Sequence, residues 1–235
     1  MIRRLTAWLV HLYTAAGLVA AAGMAVLIAR GGDASFRSAF VLMVAAMAID
    51  STDGWLARKA RVKDVLPQFD GRTLDDLTDF HTYTSMPLFL IWRAQILPGG
   101  LAWILLLPLL ASAYGFSRVN AKTADGFFLG FPSYWNVVAF YLYVFGPGTS
   151  VSLAVIVGFA LLTFVPTRYL YVTRGGPFST VMLIGGAVWA AVACVLILGP
   201  AALRQTLALV SLVYPLTYLL LSWVVTMRRG RVEHV

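Results

Sequence analysis

Two short stretches of the sequence carry acids at spacings that could do chemistry. The first is Asp50-Ser-Thr-Asp53-Gly54-Trp-Leu-Ala57-Arg58. Positions 50, 53, 54 and 57 follow i, i+3, i+4, i+7, so on a helix both carboxylates share one face with two residues that have almost no side chain. A ligand can approach the backbone there. The second is Gly71-Arg-Thr-Leu-Asp75-Asp76-Leu-Thr-Asp79, with Asp75 and Asp79 one helical turn apart. Thr73 is the expected N-cap, and the helix dipole favours Asp75 and Asp76 in a first turn. That accounts for part of the second cluster and leaves Asp79 unexplained. Four carboxylates converging at one place repel and raise each other's pKa unless a cation joins them. Carboxylate oxygens suit Mg²⁺ or Mn²⁺, which bind through a few acids plus the phosphates of a substrate, so the pattern points to phosphoryl chemistry. Arg58 abuts the acidic face and is read as a functional cation, whereas Lys59, Arg61, Lys63 and Arg72 are read as ordinary loop charges.

The elements that must position these acids are membrane helices. The 235 residues are 60% hydrophobic and only 12% charged. A soluble protein would have to expose much of that apolar surface, and a bilayer absorbs it. Intramembrane acids are functional by default, which strengthens the reading of Asp50 and Asp53 at the end of an apolar segment. Spanning the hydrocarbon core takes about 20 apolar residues as helix. By that length the expected fold is all-α, a polytopic bundle of about eight transmembrane helices. They run approximately Trp8–Ala29, Phe36–Ala57, Leu77–Leu97, Leu101–Val119, Tyr134–Phe145, Val151–Val172, Phe178–Leu198 and Leu203–Met227, the fifth being short. With the N-terminus inside, every Lys and Arg except Arg30, Arg37, Arg93 and Arg204 falls on the cytoplasmic side, which places both termini and the acids there.

The net charge of +8 lies in short loops beside apolar helices, so anionic lipid is the expected partner and nucleic acid is not. Arg3 and Arg4 followed by an apolar run could mimic a signal peptide, but with this many spans the first is read as a retained helix. The single Cys194 excludes an intramolecular disulfide and is assigned to packing. No internal repeat or long linker appears, so residues 1–235 are read as one integral-membrane domain.

Asp50-x-x-Asp53-Gly54-x-x-Ala57-Arg58 followed by Gly71-x-x-x-Asp75-x-x-x-Asp79 resembles the signature of the CDP-alcohol phosphotransferases. Residues 59–70 form a longer spacer than is usual in that family. The longer spacer resembles the bacterial phosphatidylcholine synthase branch, as do Val10-His-Leu-Tyr-Thr-Ala-Ala-Gly, Asp64-Val-Leu-Pro and Gly130-Phe-Pro-Ser-Tyr-Trp-Asn-Val-Val-Ala-Phe-Tyr. The resemblance implies transfer of a phosphatidyl group from CDP-diacylglycerol to choline, with CMP released, in the bacterial cytoplasmic membrane. It makes Asp50, Asp53, Asp75 and Asp79 a site for two Mn²⁺ or Mg²⁺ ions, Asp79 also the general base, and Gly54, Ala57, Arg58 and Gly71 the CDP-holding residues. It also leaves room for a homodimer.

Choline is a quaternary ammonium, which aromatic faces recognise. Phe131, Tyr134, Trp135, Phe140, Tyr141, Tyr143 and Tyr83 read as a group as an interfacial aromatic belt. Within it, Trp135 and Tyr83 are the candidate choline contacts. His11 and His81 are read as packing residues and His234 as part of a terminus. Two other readings stay open: a sister enzyme using serine, glycerol 3-phosphate or an inositol compound, and a transporter, which would predict broken helices repeated in two halves.

Overall fold

A computed structural model describes residues 1–123, 125–174, 178–199 and 201–229, without the side chains of residues 174, 201–204 and 229. His234 lies outside the described residues.

The chain begins with two long helices, α1 (Ile2–Arg30) and α2 (Asp33–Lys59). The turn between them uses Gly31 and Gly32 at φ 73° and 84°, a region that residues with a Cβ avoid. Gly31 closes α1 by donating its N–H to Ile28 O at 3.1 Å. The Arg93 guanidinium packs against the same glycine and donates to the carbonyls of Ala29 and Arg30. Lipid tails are as apolar as leucine, so helices in a bilayer associate through close packing of small residues. α1 carries such a stripe: Ala7, Thr14, Gly17 and Ala21 are buried at helical spacing. At Gly17 an added Cβ would collide with the Thr78 side chain, so this glycine fixes how near α1 lies to the helix that carries Asp75 and Asp79.

After α2 the spacer forms the short helix α3 (Val62–Val65), and Val62 and Leu66 pack on Ala7 and Val10 of α1. Asp70 then caps α4 (Gly71–Asp79), accepting from the Arg72 and Thr73 amides at 3.0 and 3.2 Å. The cap is therefore Asp70, and the Thr73 expected in that role instead donates its hydroxyl to Asp70 Oδ2 at 2.8 Å. A carboxylate has two acceptor oxygens and outranks threonine as an N-cap. α4 runs through a π-helical turn (Phe80–Ser85) into α5 (Met86–Arg93). Pro87 lacks the N–H that would bond to the Tyr83 carbonyl, which interrupts the ladder where the helix widens.

The rest of the bundle comprises a 3₁₀ turn (Gly99–Leu105) leading into α6 (Leu106–Ser117), then α7 (Trp135–Phe145), α8 (Thr149–Leu162), α9 (Ser179–Leu198), α10 (Ala201–Ser211) and α11 (Val213–Arg229). Joining consecutive pieces gives helical stretches at each of the predicted places. Among the described residues, five stretches are long and apolar enough to cross a membrane: Ile2–Arg30, Asp33–Lys59, Gly99–Ser117, Ser179–Leu198 and Gln205–Arg228. α7 and α8 have 11 and 14 residues, about 17 and 21 Å of helix, shorter than the ~30 Å hydrocarbon core. The protein is thus an all-α, multi-pass membrane protein with one small exception.

That exception is a two-stranded antiparallel pair, β1 (Phe127–Leu129) with β2 (Arg168–Leu170). The sixth segment, expected to run to Val172, ends as helix at Leu162. Pro166 cannot continue a helical ladder. The chain turns there, Gly130 N–H meets Thr167 O at 2.9 Å, and the apolar run continues as β2. Thr226 and Ser222 of α11 bond to the β2 backbone and fix the pair to the bundle.

Candidate metal centre

α1 packs against both α2 and α4, and this brings the two acidic stretches together. Oxygens of Asp50 on α2 and of Asp75 and Asp79 on α4 all lie within 4.8 Å of one another. All three side chains are half-buried. Oxygens gathered this closely can close on one divalent ion, which Mg²⁺ would hold at about 2.0–2.1 Å. The donors are hard oxygens, the type such ions prefer. Three half-buried carboxylates at this distance also attract a cation, because mutual repulsion is poorly screened there. The residues fit the group that the sequence implied.

Asp53 is beside this triad and not within it. It is buried, and its Oδ2 accepts from the Thr14 hydroxyl of α1 at 2.8 Å. The Tyr83 hydroxyl, from the π-helical turn just beyond Asp79, donates to Asp50 Oδ2 at 2.7 Å. Asp76 faces two cations, Arg72 at 3.6 Å and Lys122 at 3.2 Å, and Lys122 also stands 3.7 Å from Asp75. Burial lowers the affinity of Lys122 for its proton, but Tyr171, Asp76 and Asp75 together outweigh it and raise its pKa above the usual lysine value.

The remaining predicted residues divide. Gly54 and Ala57 are half-buried on the acidic face of α2, and Arg58 is exposed one turn on. A Cβ at Gly54 would come within 3.3 Å of Arg58 Nη1, so the glycine gives the guanidinium room to lie along the helix beside Asp53. Gly71 opens α4 against α1, where a Cβ would stand 2.6 Å from His11 Cε1. His11 packs as expected, with its ring 4.4 Å from Phe69, although its buried Nε2 has no hydrogen-bond partner among the described residues. His81 is exposed and touches the Phe80 ring edge-on.

Trp135 is fully buried, with its N–H on Ser112 Oγ at 2.8 Å and its ring edge-on to Phe131. The rings continuous with the acids are others. Tyr83 lies 5.9 Å from Tyr134, and Tyr134 lies 5.8 Å from Tyr218.

Sequence reasoning passed over Lys122, Thr14, Asp70 and Tyr218. Thr14 carried a usable signal, since it sits in the quoted Val10 to Gly17 stretch. Lys122 and Tyr218 are far from the motif in sequence and are brought near only by tertiary packing.

No family model matches the chain. Curated relatives do. The chain is 38% identical over 173 residues to a phosphatidylcholine synthase of Legionella pneumophila, covering 72% of this chain and 66% of the relative. It is 35% identical over 189 residues to that of Pseudomonas aeruginosa, covering 80% and 78%. With that of Borreliella burgdorferi it shares 33% over 174 residues, covering 74% and 73%.

Proposed function

The chain belongs to the phosphatidylcholine synthases, a bacterial branch of the CDP-alcohol phosphotransferases, and on that premise we propose that it transfers the phosphatidyl group of CDP-diacylglycerol to choline. The observation that carries the reading is the convergence of Asp50, Asp75 and Asp79 within 4.8 Å, which turns a spaced sequence motif into one oxygen-lined site.

Asp50, Asp75 and Asp79, with Asp53 beside them, would hold divalent metal, Mn²⁺ or Mg²⁺, in a two-ion site. When bound, the metal would supply positive charge to the diphosphate and to the departing CMP. Asp79 accepts the choline hydroxyl proton as the choline oxygen bonds to the phosphatidyl phosphorus. The bond from that phosphorus to the bridging oxygen of CMP breaks, and its electron pair leaves with CMP. Position and electrostatics do most of this work, as is general for phosphoryl transfer. Gly54, Ala57, Arg58 and Gly71 hold the CDP moiety, with Arg58 free at the surface of α2 to meet phosphate. Tyr83, joined to Asp50, presents an aromatic face to the choline ammonium, with Tyr134 beside it and Trp135 packed in the same group of rings.

The distribution of Lys and Arg supports a cytoplasmic-membrane orientation with both termini and the site inside. Choline-dependent release of CMP from CDP-diacylglycerol by purified protein tests the proposal. A panel of labelled alcohols in the same assay tests the acceptor: preferential labelling from serine or glycerol 3-phosphate rejects choline and leaves the phosphotransferase standing. No CMP release with any alcohol rejects the enzyme.

A further inference from the structure

Lys122 lies in the loop after α6, 46 residues beyond Asp76, and no part of the acidic motif calls for it. Its ammonium nonetheless enters the cluster. Nζ is 3.2 Å from Asp76 Oδ1 and 3.7 Å from Asp75 Oδ2, and the side chain is only 20% exposed. The backbone that delivers it is fastened on both flanks. Lys122 bridges to Phe128, Leu129 N–H donates to Ala121 O at 2.9 Å, and Thr123 N–H donates to Phe127 O at 2.8 Å. Arg168 of β2 pairs with Asp125 at 2.8 Å, and the Phe128 ring stacks on Tyr171 at 4.3 Å. The strand pair therefore holds one lysine over the acids.

An ion pair serving only to hold the loop would need a single carboxylate, and Asp76 supplies it. Lys122 has a second neighbour, Asp75, at a distance that is an ion pair and too long for a hydrogen bond. Asp75 belongs to the oxygen triad, and an ammonium has three donors, of which Asp76 takes one. A diphosphate drawn to metal on Asp50, Asp75 and Asp79 and lying on the Asp75 side would come within reach of this ammonium. It also brings its own negative charge to a cluster already rich in carboxylates, and a cation on the loop side balances it.

We propose that Lys122, anchored on Asp76, contacts a diphosphate oxygen of the CDP-lipid and holds the phosphate of the departing CMP. The inference rests on the CDP-diacylglycerol reading above. Lys122 stays protonated throughout and no bond to it forms or breaks.

The test uses the full-length protein with Lys122→Met and Lys122→Arg, and CMP as the probe. CMP affinity is measured by calorimetry in chelator and again with Mn²⁺, beside KM for both substrates and Mn²⁺ affinity by electron paramagnetic resonance. Lys122→Met weakens CMP binding by on the order of tenfold to a hundredfold in both conditions, the loss typical of one hydrogen bond between charged groups. KM for choline and Mn²⁺ affinity do not worsen, and Lys122→Arg recovers most of the CMP affinity. A folded Lys122→Met that binds CMP like the wild type overturns the proposal. Should Lys122→Met fail to fold, amine acylation of the wild type, read by mass spectrometry, decides: CMP protects Lys122 if the proposal holds, and an unchanged rate overturns it. Normal choline turnover with lysine-independent CMP binding removes Lys122 alone. Lysine-dependent CMP binding without choline turnover removes only the acceptor.

Discussion

Tyr83 donates its hydroxyl to Asp50 at 2.7 Å, joining the turn that follows Asp79 to the first acid of the motif, 33 residues earlier. The bond fixes one oxygen of a carboxylate that also belongs to the Asp50, Asp75 and Asp79 cluster. A π-helical turn at Tyr83 fits this role, because such turns recur where a helix must redirect a functional side chain.

Removing only that hydroxyl should therefore loosen the site. Tyr83→Phe keeps the ring and loses the bond, which as a contact to a charged group contributes about 1.5–3 kcal/mol. The expected result is a kcat lower by roughly tenfold or more, and weaker Mn²⁺ binding, with KM for choline little changed. Steady-state kinetics with Mn²⁺ titration separate this from a role confined to the ring, in which Tyr83→Phe would be silent.

Metal removal should stop turnover, and Mn²⁺ or Mg²⁺ should restore it. Asp50→Ala, Asp53→Ala and Asp75→Ala should each abolish activity while the protein still inserts in the membrane. Asp79→Asn preserves size without basicity and should lower kcat by at least ~10²-fold, a typical acid–base contribution. Full activity in excess chelator, or Asp79→Asn within a few-fold of wild type, contradicts the assigned chemistry.

Much of this was legible in sequence because membrane helices and the acids on them are local patterns. The apolar runs placed the helices, and the i, i+3, i+4, i+7 spacing placed Asp50 and Asp53 on one face. What was not legible depends on packing between distant segments. Asp53 turns to Thr14, Lys122 reaches Asp75 across the bundle, and Trp135 buries its N–H on Ser112. The β1–β2 pair was hidden for a different reason: β1 lies between the fourth and fifth expected helices, β2 falls inside the apolar run read as the sixth helix, and only the turn at Pro166 separates β2 from α8.

The start of α4 provides a test of how the acids are carried. Hydrogen bonds from the Thr73 hydroxyl and amide, and then from the Arg72 amide, hold the Asp70 carboxyl below its usual pKa. A lowered folded pKa means the cap stabilises the helix fully above the ordinary carboxylate value, about 3.9, and is lost as pH falls through the lower folded value. Asp70→Ala should speed hydrogen exchange at the Arg72 and Thr73 amides and reduce turnover at neutral pH. Asp70→Asn, also a good cap, should do neither.

The choice of choline rests on which rings meet its ammonium, and the structure separates two residues that are adjacent in sequence. Tyr134 is in ring contact with Tyr83, which bonds to Asp50, so it stands beside the acids at which the proposed mechanism brings the acceptor hydroxyl to Asp79. Trp135 is fully buried, with its N–H on Ser112. A cation on an aromatic face gains about 0.5–2 kcal/mol, so Tyr134→Ala should raise KM for choline by about two- to thirtyfold and leave KM for CDP-diacylglycerol nearly unchanged. Tyr134→Phe should retain most of the affinity, because the face survives. Trp135→Ala removes a large packed side chain, a change of about 3–5 kcal/mol in a core, and should lower thermal stability and the yield of folded protein. Its surviving fraction should show altered choline KM only to the extent that the rings around Tyr134 shift. Competition fixes the acceptor independently of either variant: labelled choline must enter phospholipid only when CDP-diacylglycerol is present and must resist dilution by excess serine or glycerol 3-phosphate. A choline KM that moves in Trp135→Ala and not in Tyr134→Ala would transfer the recognition role back to the tryptophan.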